Sequence, residues 1–298
     1  MTSTGASRTR LLEILSRLIE RNLGREWDDL PGVNLFSTQV VEERPTASIA
    51  EPTFAFVAQG AKRIAVGDYV LDYGPGEYLV VPVDLPVSGQ FTAASRDEPF
   101  LGIGFTLNPD AIAEMVLGSS ATSAGTSRMV PALGTARATV ELLDALVRLL
   151  LLSDEPVDRA VLGPLVQREI LWRVLRGEQG ELVRRIGMRG SSLAHVGEAV
   201  RWIRTHYAEP FRVEHLAAVA AMSPSTFHRH FQAATTMGPI QFQKKIRLQQ
   251  AKLLLIGSSL DVTRVAAEVG YDSPSQFSRE YRREHGATPR SHARSGVQ

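Results

Sequence analysis

The chain has 298 residues, 44% hydrophobic and 22% charged, which is a prior of about two domains able to bury a core. Cysteine is absent, which excludes disulfides and thiolate chemistry and is compatible with a reducing cytoplasm. The net charge of +1 hides an asymmetry: residues 193–298 carry 14 Lys+Arg and 8 Asp+Glu (14 − 8 = +6), while residues 1–192 carry 19 and 24 (19 − 24 = −5), as expected of a nucleic-acid binder joined to a domain that does not touch nucleic acid.

The first predicted element is an amphipathic helix over Arg8–Leu23, with Leu11, Leu12, Leu15, Leu18 and Ile19 in helical register. The N-terminus has no apolar signal core, and no run approaches the roughly 18 apolar residues of a membrane span, so no membrane partner is expected. Trp27–Gly32 reads as a turn. From Val33 to Thr106 the pattern changes to short apolar runs punctuated by Gly, Pro and Asp: Val33–Val41, Thr53–Gln59, Lys62–Val66, Asp68–Leu71, Tyr78–Val83, Val87–Thr92 and Phe100–Thr106. Closely spaced strands of this kind predict a small β-sandwich or barrel.

Such a β unit invites a metal or a ligand, and the two can be weighed separately. All seven histidines lie at or after His195, so the β unit has neither His nor Cys. Only carboxylates remain, which favour hard cations over a transition-metal centre, so no metal and no cofactor are expected. A Ser nucleophile would likewise lack a His partner there. An apolar effector pocket is the better expectation, with Phe54, Phe56, Tyr69, Tyr78 and Val81 as candidate lining; the competing reading of each is ordinary core.

A short helix over Pro109–Leu117 follows, capped by Asn108, and then Gly118–Ser127 reads as a flexible loop, either a lid or simply disordered. Ala136–Leu152 and Arg159–Arg176 read as an antiparallel helix pair burying their stripes on the β unit. Gly177–Ser192 holds four glycines and two serines and reads as the hinge region. The predicted domains are 1–186, a linker at 187–192, and 193–298.

The C-terminal domain repeats one pattern. Leu216–Phe231 ends in S-P-S-T-F-H-R-H-F, and Val265–Tyr281 ends in S-P-S-Q-F-S-R-E-Y; Pro224 and Pro274 are equivalent, a period of 274 − 224 = 50 residues. Ser223 and Ser273 stand at N-cap positions with Pro at N1. Phe227 with Phe231, and Phe277 with Tyr281, are spaced i, i+4 and make a core face. Ser225, Thr226, His228 and Arg229, and Ser275, Gln276 and Arg279, lie off that face and are candidate base readers, because Arg matches guanine, Gln matches adenine and Ser or Thr matches either. Arg282 and Arg283, and Lys244, Lys245, Arg247 and Lys252 on the connecting helix Pro239–Ile256, are candidate phosphate contacts. Two helix–turn–helix units, about 213–235 and 262–285, predict double-stranded DNA as partner.

The run A-x-x-V-G-Y-D-S-x-S-x-F-S-R-x-Y-R-R-x-x-G-x-T-P, Ala266–Pro289, resembles the DNA-binding domain of the AraC/XylS family of bacterial transcription regulators. The run F-V-A-Q-G-x-K-R-I-x-V-G-D-Y-V-L-D-Y-G-P-G-E-Y-L-V-V-P-V-D-L-P-V-S-G is similar to the cupin-like N-terminal domain of one branch of that family. The resemblance implies an α+β fold: an N-terminal cupin-like β-barrel with flanking helices and a C-terminal all-α double helix–turn–helix domain. It implies a cytoplasmic, nucleoid-associated activator controlled by a small-molecule effector, a homodimer joined through the helix pair, and RNA polymerase as a partner of an activator. Ser225 and Pro274 depart from the bulky or polar residues common at those places, so base preferences do not carry over. A metal-independent cupin-type enzyme, and a β domain that only dimerises, are the competing readings.

Overall fold

The computed structural model describes residues 2–25, 27, 30–118, 132–188, 190–258 and 260–295. Helix α1 (Thr2–Asn22) precedes eight strands: β1 (Val33–Thr38), β2 (Thr46–Ala50), β3 (Thr53–Gln59), β4 (Ala61–Val66), β5 (Tyr69–Tyr73), β6 (Glu77–Val81), β7 (Leu85–Ala93) and β8 (Phe100–Thr106). Then come α2 (Pro109–Gly118), β9 (Gly134–Arg137), α3 (Val140–Leu151), α4 (Pro156–Arg176) and α5 (Gly180–Gly187). The predicted loop lies, past Gly118, outside the described residues.

The strands form two antiparallel sheets, β1-β8-β3-β6-β9 and β2-β7-β4-β5. The expected barrel is therefore not closed: among the described residues no ladder joins the sheets, and each keeps its own edges. The chain changes sheet between β3 and β4 at Gly60, φ 78°, where a Cβ would lie 2.5 Å from the Ala93 carbonyl oxygen. The layers meet through side chains, with the Phe91 and Phe100 rings 4.7 Å apart.

Two strands lie outside the predicted ones. β2, Thr-Ala-Ser-Ile-Ala, has almost no apolar alternation to announce it. β9 falls at the start of the segment predicted as helix: Ala136 and Arg137 pair with Tyr78 and Glu77, and α3 begins only after Thr139, whose Oγ1 accepts from Leu142 N at 3.3 Å. α1 packs against β3, β8 and α3, and α3 packs against α4. Gly187, at the end of α5, lies close against α2: a Cβ there would come within 2.5 Å of Ala113 N.

The C-terminal part is all helix: α6 (Ser192–Thr205), α7 (Val213–Val219), α8 (Pro224–Thr235), α9 (Pro239–Gly257), α10 (Val262–Glu268), α11 (Pro274–His285) and α12 (Pro289–Ser295). Ser191 caps α6 by accepting from Ala194 N at 3.0 Å. The core of the β region runs without a break through α6 to the first helix–turn–helix, while Leu248, Leu255, Val265, Phe277 and Tyr281 form a second, separate core. Side-chain bonds tie the two parts together. Arg204 of α6 pairs with Asp84 and Glu51, Thr236 Oγ1 donates to the Val66 carbonyl at 2.8 Å, and the Gln249 amide bridges Ala47 O (3.1 Å) and Ser48 N (3.0 Å) of β2.

Candidate nucleic-acid interface

Both candidate reading helices, α8 and α11, start as their sequences dictate. Ser223 Oγ accepts from Thr226 N at 3.4 Å, and Ser273 Oγ accepts from Gln276 N at 3.3 Å; Pro224 and Pro274 occupy the first turn, where no N–H is needed. Phe227, Phe231, Phe277 and Tyr281 are fully buried, which fixes which face of each helix turns outward. That outward face carries Ser225, His228 and Arg229 on α8, and Ser275, Arg279, Arg282 and Arg283 on α11, all exposed. Thr226 and Gln276 are half-buried at its border. The Thr226 hydroxyl accepts from Ser223 Oγ at 2.9 Å, and Gln276 Nε2 donates to Glu280 at 3.0 Å.

The units differ in their turns. α7 and α10 are 262 − 213 = 49 residues apart, whereas α8 and α11 are 274 − 224 = 50 apart, so the second turn is one residue longer, by Asp272. The left-handed residue of the turn is Ala221 (φ 49°) in the first unit and Gly270 (φ 83°) in the second. A Cβ on Gly270 would lie 2.2 Å from the Ala208 carbonyl oxygen.

Lys244 and Lys245 do not face outward as free cations. Lys244 Nζ lies 2.9 Å from Glu280 Oε1, and Lys245 Nζ lies 2.7 Å from Glu284 Oε1. α9 crosses α11 at this point, so both ammonium groups already meet a carboxylate of α11, with the Lys244 side chain still 42% exposed. Arg247 is likewise structural, donating to the backbone oxygens of Tyr207 (2.6 Å), Gly270 (2.6 Å) and Ala208 (3.1 Å). The sequence pattern stopped at the end of α11 and missed α12, which adds exposed Arg290 and Arg294 and holds Tyr281 through a 2.7 Å contact from its hydroxyl to His292 Nδ1. The Pro289 start was the signal that could have found it.

The candidate effector residues separate. Phe56, Tyr78 and Val81 are close-packed core; burial, with the Glu178 charge, pushes the Tyr78 hydroxyl up to about 12. Tyr69 is 44% exposed at the β4–β5 hairpin and lines no interior, because the Gly67-Asp68 turn swings the start of β5 outward. Phe54 borders a cavity, about 450 Å³, between the five-stranded sheet, α2 and α4, with Phe105, Met115, Ile170 and Val174 as apolar walls and Arg168 at its edge.

Comparison with known proteins agrees with this geometry. Residues 29–182 match the family model of the AraC-type transcriptional regulator N-terminus, and residues 216–295 match a helix-turn-helix domain model. The HTH-type transcriptional activator RhaS of Escherichia fergusonii is 33% identical over 97 residues, 33% of this chain and 35% of RhaS, so the match spans about a third of that relative. The uncharacterized HTH-type transcriptional regulator YdeC of Bacillus subtilis is 25% identical over 158 residues, 51% of this chain and 52% of YdeC. ToxT of Vibrio cholerae O395 shares the fold, with a TM-score of 0.58 at 9% identity over 88% of this chain and 98% of that one.

Proposed function

The chain belongs to the AraC-type transcriptional regulators, and from that premise we propose that it is an activator that reads DNA with α8 and α11 under the control of a small-molecule effector. One observation carries the reading: two capped helices bury an aromatic face and turn a Ser/Arg face outward at matching places. Ser225, Thr226, His228 and Arg229, with Ser275, Gln276 and Arg279, contact base edges, and Arg282 contacts phosphate. The two helices enter successive major grooves about 34 Å apart.

The relatives compared are regulators rather than enzymes, and RhaS is an activator. ToxT has been seen with unsaturated fatty acid bound. The cavity beside Phe54 is the place for an effector in this chain, since its size and apolar walls suit a small molecule. A homodimer forms through α4, where Val157 (81% exposed), Val161 (65%) and Leu165 (61%) make an outward apolar stripe. RNA polymerase is the partner of the DNA-bound activator. No helix among the described residues is long and apolar enough to cross a membrane; the protein acts in the cytoplasm, on the nucleoid.

The packed Phe56, Tyr78 and Val81 favour a second reading in which the β region only dimerises. Ligand-induced thermal stabilisation separates the two. Footprinting on the upstream region of its own gene tests the first claim. Two protected major-groove stretches one turn apart are expected, and weak, wholly salt-sensitive binding without a footprint, with and without candidate effectors, would sink it.

A further inference from the structure

Helix α11 carries a carboxylate at the border of the face proposed to meet DNA, and its surroundings give a reason. Glu280 lies one turn beyond Gln276 on α11, with its side chain only 13% exposed. Its Oε1 accepts from Gln276 Nε2 at 3.0 Å and from Lys244 Nζ at 2.9 Å, and its Oε2 accepts from the Tyr271 hydroxyl at 2.8 Å. The turn before the helix, the connecting helix α9 and the border of the reading face thus converge on one side chain. Tyr271 is itself anchored, with the Arg247 guanidinium 5.9 Å over its ring and bonded to Gly270 O. Burial raises the Glu280 carboxyl, but the hydrogen bonds from Gln276, Lys244 and Tyr271 outweigh it, and the group is held below the ordinary glutamate range.

A glutamine amide has two N–H donors and one carbonyl oxygen. Gln276 commits one N–H to Glu280. One N–H and the oxygen remain, the pair that adenine N7 and N6 match. A side chain fixed before DNA arrives loses less rotamer freedom on binding. The first unit has Met222, Thr226 and His230 where the second has Tyr271, Gln276 and Glu280, so the three-residue set belongs to the second unit alone.

We propose that Glu280 is a positioning residue that presents the Gln276 amide to adenine at one base step of the second half of the site. The inference rests on α11 being a reader of bases.

The test is selection from a randomised DNA duplex pool by the full-length protein and by Gln276→Ala, Glu280→Ala and Glu280→Gln, the last keeping a carbonyl acceptor for the Gln276 amide. Base preference at a position is a ratio within one variant, so it does not depend on how much of that variant is folded. Wild type and Glu280→Gln should prefer adenine at one position by about ten-fold, within the range of a bidentate base contact. Gln276→Ala and Glu280→Ala should lose that preference at the same position and keep the one set by Arg279. The proposal is overturned if Glu280→Ala keeps the adenine preference, if Gln276→Ala relaxes no position, or if Glu280→Ala relaxes every position alike, as a merely structural role would. If wild type itself selects no sequence, the reading of α11 as a base reader fails and takes this inference with it, an outcome distinct from a selected site to which only Gln276 or Glu280 is silent.

Discussion

Ala221 and Gly270 hold the same left-handed place in their two turns, and only one of them is glycine. An L-residue with a Cβ is disfavoured there by roughly 1–2 kcal/mol, and glycine's extra chain entropy offsets part of that. Ala221→Gly should therefore raise the unfolding free energy by about 0.5–1 kcal/mol. Gly270→Ala should lower it by more, because the new methyl also meets the Ala208 oxygen. Denaturant midpoints of the two variants would show the opposite signs. The lysines give a second residue-scale expectation. Arg282→Ala should reduce the salt dependence of DNA binding by about one unit of slope. Lys245→Ala should leave that slope unchanged, because its charge already meets Glu284. Titrations at several salt concentrations read both. No pattern in the sequence announced those ion pairs; a lysine on a connecting helix looks the same whether it faces phosphate or a glutamate of the neighbouring helix.

At the scale of elements, α11 and α12 share a pair of imidazoles. Burial holds His285 below its ordinary value of 6.5, against a smaller upward pull from the Leu248 carbonyl, and burial with Lys252 lowers His292. Below pH 6.5 the unfolded chain takes up protons before the folded one does, so stability is complete above that pH and falls as pH drops through the lowered folded values. The melting temperature of the second unit should be lower at pH 5.5 than at 7.5, and His285→Gln should flatten the difference; a higher value at pH 5.5 would contradict the sign. The helices of this region were legible because caps, Pro at N1 and aromatic i, i+4 pairs are local signals. β2 and β9 were not: each is held by its partner strand rather than by its own alternation, so a pattern read along one segment cannot see it.

Across the whole molecule, the hydrophobic core does not divide where composition does. The first helix–turn–helix shares its core with the β region, and the second keeps its own. Hydrogen exchange should accordingly show α7 and α8 opening together with the β region and α10 and α11 opening separately. Protection of both units as a single cooperative block, distinct from the β region, would contradict it. The charge step near residue 192 marked the change of role along the chain, and the bonds that cross it, from Thr236 to Val66 and from Gln249 to β2, depend on long-range packing that no short motif encodes.

The extra Asp272 reaches beyond the turn it lengthens. A pair of identical readers would ask for the same letters at both grooves. Here one reader follows a short turn and presents Thr226, and the other follows a longer turn and presents a tethered Gln276, always in that order on one chain. A stretch of DNA recognised by such a pair has a head and a tail. On the proposed reading, the two halves of the site differ in their letters as well as in their order along the duplex.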